Sequence, residues 1–473
     1  FMVGEFADKL RSVKRMDLLD GISNKALEYF SQQDEEVEGS FFPSLTGTAQ
    51  NFKTRFQHAQ TLAAMGEVAY SRNKNDEAKQ AFSSAKTILD KLYKIQPQNS
   101  ELLKALGANA FWLGQLASDK AEFTLARSYF ESYLTYSQTM NRIAPSDKET
   151  KRELSYAYLA LGGVNNKLQN SSAAKVALER ALDVQYELST EPLQDIMSNV
   201  AIVETLEWLA ETEEQLGELR QAVNTRKKVQ IDINQLLGTH DSNANLIESL
   251  AYSYLNNANV LYYLGQYNAA NQAALSAKTN LDKLLLQDPS NKIWQLDLLR
   301  AHAFNLYLSS LIHGTPTVQR IAWADFQSIL ARAERFYSSV PIIIRGYQLN
   351  TDWALAERAI SLATSKFEQI SKEQPSNQLL LSALSNVYLL AAKQDEHAQN
   401  QVGGVSTTNV NTNSNKRKAC QQAVNLLQPI VTDNSSYEVL LPYVQALDCL
   451  QQQDKVKPFA DKLALMQIKN YRF

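Results

Sequence analysis

Two cysteines, Cys420 and Cys449, and five histidines, His58, His240, His302, His313 and His397, are the side chains best suited to redox or metal chemistry. A helical metal site needs ligands three or four residues apart, and an HExxH hydrolase needs a glutamate between two of them. None of the histidines has either arrangement, so each reads as a surface or ordinary interior side chain, and no metal or cofactor is expected. The chain also lacks a phosphate-cradling GxxxxGK[ST] loop and a GxSxG nucleophile turn, and "VGGVS" sits in a polar stretch with no strand before it. Nothing here points to catalysis, and the chain is expected not to be an enzyme.

The cysteines flank a turn. Cys420 lies on "KRKACQQAVNLLQPIV" and Cys449 on "YEVLLPYVQALDCLQQQ", each about 15 residues from the "TDNSS" turn near residue 434. An antiparallel hairpin would bring them to one level, although level alone does not set the Cα separation that a disulfide needs. Two readings stay open: a pair of buried thiols acting as small core residues, or a bond that implies an oxidising compartment.

Composition says what must position these groups. The 473 residues include few glycines (16) and prolines (11), are 44% apolar, and show no series of alternating strands, so helix is the default. A formal charge of −3 from 47 basic and 50 acidic residues disfavours nucleic acid as a partner. No apolar run approaches the eighteen or so residues of a membrane helix, so no membrane insertion is expected of this region. The chain begins Phe1-Met2, which reads as a fragment or processed product with something upstream.

The organisation is repetitive. Gly66 with Ala78, Gly114 with Ala126, Gly162 with Ala174, Ala210 with Ala222 and Ala258 with Ala270 each stand 12 apart and recur every 48 residues. Met65, Leu113, Leu161, Leu209 and Asn257 precede the first member; Phe82, Phe130, Leu178, Arg226 and Ala274 follow the second by four. Turn signals close the units at Pro97, Pro145, Pro192, "THDSN" near 240, and Pro289. Each unit therefore reads as a helical hairpin whose two helices approach closely where a Gly or Ala on the first faces an Ala on the second. Gly217 and Gly265 fall in the turns, where a positive φ costs glycine nothing.

At Leu62, Met65, Gly66, Ala69, Ala78, Phe82 and Ala85, with Pro97 displaced, the unit resembles the tetratricopeptide repeat (TPR). It departs from the family's 34-residue period by about four helical turns, expected mostly in the second helix. "LNNA", Leu255 to Ala258, also resembles the asparagine-bearing first helix of a longer-period subgroup. The resemblance implies an all-α, right-handed α-solenoid of TPR-like hairpins with helical caps. The expected parts are an N-terminal helical cap over 1–45, five repeats over 46–290, degenerate helical repeats over 291–397, a flexible polar loop over 398–416, and a C-terminal hairpin and cap over 417–473. The N-terminal stretch carries apolar residues at helical spacing, Phe1, Met2, Phe6 and Leu10, then Met16, Leu18, Leu19, Ala26, Leu27 and Phe30. It resembles a segment of bacterial signalling proteins in which a cytoplasmic domain and membrane helix precede an extracytoplasmic TPR region.

The resemblance also implies a concave groove lined by first helices. It places Glu204, Glu207, Glu211 and Glu214 there, and offsets of three, four and three keep those carboxylates on one helical face. Beside them it places Phe111, Gln115, Tyr156, Leu159 and Asn166, then Tyr252, Leu255, Asn259, Tyr262 and Tyr263. Such a lining suits an extended peptide with a basic residue near an apolar anchor; the plainer reading is a solvated acidic face and inter-repeat tyrosine packing. The Lys and Asn pattern that clamps carboxylate tails is not reproduced. The expected role is a non-enzymatic protein- or peptide-binding scaffold, the partner-sensing region of a larger bacterial signalling protein outside the cytoplasm. The alternatives are a free cytoplasmic adaptor or chaperone-like protein, the regulatory region of an enzyme encoded upstream, and a self-associating rod.

Overall fold

A computed structural model describes residues 45–189, 196–238, 242–314, 321–401, 409–432 and 435–469. The described chain is all helical and packs consecutively. Five hairpins come first: α1 (Leu45–Ser71) with α2 (Asn75–Tyr93), α3 (Ser100–Asp119) with α4 (Phe123–Ile143), α5 (Lys148–Lys167) with α6 (Ser171–Leu188), α7 (Ile196–Gln215) with α8 (Leu219–Leu237), and α9 (Ala244–Tyr263) with α10 (Tyr267–Gln287). From α3 on, first helices begin at residues 100, 148, 196 and 244, and α11 (Lys292–His313) keeps the same 48-residue step.

Local chemistry sets those starts and stops. Asn99, Asp147, Asn243 and Asn291 each sit one residue before a first helix and accept from one of its initial backbone N–H groups, which otherwise have no partner. Each hairpin turn holds one residue in the left-handed region: Asn73, Ala121, Gln169, Gly217 and Gly265, with φ between 57° and 79°. The next residue donates its N–H to a carbonyl five residues back, as Glu122 does to Ala117 at 2.9 Å and Gln266 to Leu261 at 2.9 Å.

Across each hairpin the close approach differs from the expected small-on-small contact. A Cβ on Gly66 would stand 2.7 Å from the Phe82 ring, one on Gly114 2.6 Å from Phe130, and one on Gly162 2.6 Å from Leu178. The glycine therefore seats the bulky residue that follows the second small residue by four, while Ala78, Ala126, Ala174, Ala222 and Ala270 are fully buried. The paired helices are of near-equal length, 20 and 21 residues in α3–α4 and again in α9–α10, so the added length is not concentrated in the second helix.

After α11 the hairpins lose their period. α12 (Trp323–Ala331) and α13 (Ala333–Phe336) are short; α14 (Ser339–Leu349) and α15 (Trp353–Glu373) form a hairpin with Thr351 at φ 60° in its turn. α16 (Gln378–Gln401), α17 (Asn409–Leu427), α18 (Tyr437–Cys449) and α19 (Gln453–Leu465) complete the chain. Helix thus enters both flanks of the polar stretch 398–416, because α16 and α17 pack along each other; residues 402–408 lie outside the described residues, as do the N-terminal segment 1–44, Pro192 and His240. A disulfide joins Cys420 on α17 to Cys449 on α18, with Cα atoms 6.3 Å apart. The chain divides into two compact units, 1–208 and 209–473, the division falling inside α7 between Trp208 and Leu209.

Two stability outcomes follow. Ala121→Gly should raise stability by about 0.5–1 kcal/mol by relieving a left-handed alanine, whereas Gly265→Ala should lower it by about 1 kcal/mol; thermal denaturation of the two variants reads both signs. Opening the disulfide by Cys420→Ser should cost about 3 kcal/mol, and a denaturation midpoint insensitive to reductant would contradict it.

Candidate functional site

Unit 1 holds a cleft of about 600 Å³. Its walls are the inward faces of α3, α5 and the first part of α7. α3 contributes Ala108, Phe111, Trp112, Gln115 and Ser118; α5 contributes Glu153, Tyr156, Leu159, Ala160, Gly163, Val164 and Lys167; α7 contributes Glu204 and Trp208. These residues recur at steps of three and four, the spacing of one helical face. Phe130 and Tyr133 reach the floor from α4.

Aromatic packing fixes the floor and one wall. Phe111 stands edge-on to Trp112 at 5.3 Å and to Tyr133 at 5.9 Å, and tilts against Phe130 at 6.1 Å. The Tyr133 hydroxyl donates to Glu153 Oε2 at 2.7 Å. Burial, reinforced by that carboxylate, raises the Tyr133 pKa far above the ordinary phenol range, so it stays a donor. Asn166 is buried and donates Nδ2 to the Trp208 carbonyl at 3.4 Å, tying α5 to α7. Lys167 Nζ lies 5.3 Å from the centre of the Trp208 ring. Glu204 sits at the opening, where desolvation raises its pKa above the usual carboxylate range.

The cleft therefore unites Phe111, Gln115, Tyr156, Leu159 and Glu204 among the residues expected from the sequence. It also draws in Trp112, Tyr133, Glu153, Gly163, Lys167 and Trp208, which the groove positions taken from the repeat pattern omit. A signal for two of them was present: Trp112 and Trp208 hold the same place, two residues before the first small residue of repeats two and four, and Ala160 holds it in repeat three. Glu207 belongs to unit 1 without lining the cleft.

The expected residues of unit 2 are placed differently. Glu214 is ion-paired with buried Arg226 and accepts from the Tyr437 hydroxyl at 3.2 Å; Glu211 is exposed on the same helix. Tyr252 donates to the buried Asp297 carboxylate at 2.7 Å. Asn259 borders a crevice of about 20 Å³, too small for a side chain. Tyr262 packs among Tyr263, Tyr267, Phe304 and Tyr307, shares a hydrogen bond with the Tyr307 hydroxyl at 3.0 Å and accepts from Arg345 Nη1 at 3.2 Å. In this unit the tyrosines are packing residues. Among the described residues no three His, Cys, Asp or Glu side chains gather as a metal site, and no helix is long and apolar enough to cross a membrane.

No protein-family model matches the sequence, and no curated protein does. Solved structures do. RapI in its apo form aligns with a TM-score of 0.52 at 12% identity, covering 91% of this chain and 98% of that one. The Rap conjugation gene regulator of plasmid pLS20, solved in complex with the Phr* peptide, gives 0.40 at 12% identity over 88% and 98%. A tetratricopeptide repeat protein from Parabacteroides merdae gives 0.36 at 12% identity over 76% and 98%. The fold is thus an all-α array of TPR-like helical hairpins, and at these identities the likeness is one of fold.

Two helical glycines of unit 1 separate packing from opening. A Cβ on Gly163 would meet nothing within 4 Å, so Gly163→Ala should stabilise by about 0.5–1 kcal/mol through helix propensity. Gly114→Ala should destabilise by about 1–3 kcal/mol by displacing Phe130. Equal effects in chemical denaturation would contradict the assignment of the cleft wall.

Proposed function

We propose that unit 1 is a non-enzymatic recognition module that holds an extended peptide segment in the α3–α5–α7 cleft. The observation that carries this reading is the lining itself: six aromatic side chains, Phe111, Trp112, Phe130, Tyr133, Tyr156 and Trp208, with carboxylates at Glu153 and Glu204. Aromatic rings supply large contact area at low entropy cost, and carboxylates set the orientation of a charged partner. The preferred segment carries Lys or Arg beside a bulky apolar residue. The amine or guanidinium meets the Glu204 carboxylate, exposed at the opening of the cleft, and the apolar neighbour enters between Phe111 and Tyr156.

The module serves as the partner-sensing region of a larger bacterial signalling protein, and it works outside the cytoplasm. The Cys420–Cys449 bond supports that location, since such bonds persist in oxidising compartments.

Selection of displayed random peptides on the intact chain tests the binding role. Enriched sequences should pair a basic residue with an apolar one. Trp208→Ala should weaken their capture at least tenfold, about 1.4 kcal/mol or more, and Glu204→Lys should do so in a salt-sensitive way. Gly163→Leu, which fills the cleft from an open helical position, should abolish capture while the chain stays folded. Peptides held equally well by Gly163→Leu would place the binding face elsewhere.

A further inference from the structure

The cleft of unit 1 carries charge of opposite sign at its two ends. Glu153 lies in the first half of α5 and Lys167 is its last residue, about 21 Å further along the helix axis. Glu204 on α7 is one 48-residue step from Tyr156 and so stands at the Glu153 end, while Lys167 Nζ lies 5.3 Å from the ring of Trp208, one turn further along α7. Phe111, Trp112 and Leu159 line the cleft between the two ends.

Neither charge is neutralised from within the chain. Other lysines of unit 1 reach a carboxylate on another helix: Lys104 meets Glu149, Lys120 meets Asp76 and Lys151 meets Glu187, each at 2.9 Å. Lys167 is exposed and, among the described residues, meets no carboxylate; its contact with the Trp208 ring uses the charge without occupying an N–H donor. Asp119, at the equivalent level of α3, is already engaged by the Tyr70 hydroxyl at 2.9 Å and Gln115 Nε2 at 3.0 Å. At the other end Glu204 is exposed with no cation paired to it among the described residues, and Glu153 accepts from the neutral Tyr133 hydroxyl. Opposite charges that share one cleft without pairing complement a ligand whose charges run in the reverse order.

Resting on the peptide-binding role proposed above, we infer that Lys167 is a carboxylate subsite that fixes the direction of the bound segment. The basic residue lies at Glu153 and Glu204, the apolar residue on the aromatic floor, and a carboxylate of the ligand on the Lys167 ammonium, which the Trp208 ring holds in place. In repeat register Glu204 and Lys167 stand roughly 16 Å apart along the helices, and the reach of the side chains shortens this to about three to five residues of extended chain. An Asp or Glu side chain and the C-terminal group of a short peptide present the same two acceptor oxygens there. The cleft thus selects a basic, apolar, acidic order rather than a basic and apolar pair alone.

Selection of random decapeptides, displayed with free C-termini, on the intact chain and on its Lys167→Glu variant tests this. Sequences enriched on wild type should place Asp, Glu or the C-terminal residue three to five positions from Lys or Arg, with the apolar residue between; those enriched on Lys167→Glu should keep the basic and apolar pair and lose that spacing. The leading wild-type peptide is then synthesised with its acid changed to the amide residue, or with its C-terminus amidated. A loss of about fivefold in affinity on the first change assigns a side-chain carboxylate, and on the second the terminus; Lys167→Gln should erase whichever difference is found. Loss on neither change, or a loss that Lys167→Gln leaves intact, overturns the carboxylate subsite while the basic and apolar pair still supports the cleft. Selection that returns no such pair contradicts the cleft reading itself, and the subsite with it. The wild-type measurements stand alone if a variant does not fold.

Discussion

Close contact between the two helices of a hairpin is the constraint on which the rest of this molecule depends. In the first three repeats a glycine on the first helix leaves space that a Phe or Leu from the second fills, and a left-handed residue reverses the chain two residues beyond the first helix. That pairing fixes the axis of each hairpin. With helix starts held at a 48-residue step by side-chain caps, first helices of successive repeats present equivalent faces side by side. The cleft of unit 1 is what those faces leave between them, and its residues are spaced as they are because the helices beneath them are.

Much of this was legible from the amino-acid types. The small-residue pairs every 48 residues reveal the hairpins, and Gly217 and Gly265 mark two of the turns. The other turns were not visible, because Asn73, Ala121 and Gln169 carry a conformation that their side chains disfavour and the surrounding packing imposes. The site was legible in part. Phe111, Gln115, Tyr156 and Glu204 fall at groove positions that the TPR resemblance implies. Lys167 and Glu153 depend on how neighbouring repeats approach, which no periodicity within one repeat reports. Tyr252 and Tyr262 show the opposite failure: the same register that faces an opening in unit 1 faces buried Asp297 and Tyr307 in unit 2.

Side-chain volume explains that contrast. The inward faces of α3 and α5 carry Ala108, Ala160 and Gly163 among their aromatics, and the space above them stays open. In unit 2 the corresponding interior is filled by Tyr262, Tyr263, Tyr307 and Arg345, and the C-terminal helices seat against its hairpin turns. Arg226 is the clearest departure from the repeat pattern: a guanidinium in a place that holds Phe or Leu in earlier repeats requires a carboxylate, and Glu214 supplies it while accepting from the Tyr437 hydroxyl. One repeat thus gives up apolar packing to hold the end of the chain.

The most direct measurement is site-specific photocrosslinking of the intact protein in the cells that make it. A photoreactive residue replaces Leu159 inside the cleft or, separately, Val176 on the exposed side of α6. The account predicts a discrete covalent adduct from position 159 and none from position 176, with a basic, apolar-flanked peptide at the linkage. Adducts formed equally at both positions, or at 176 alone, would contradict it.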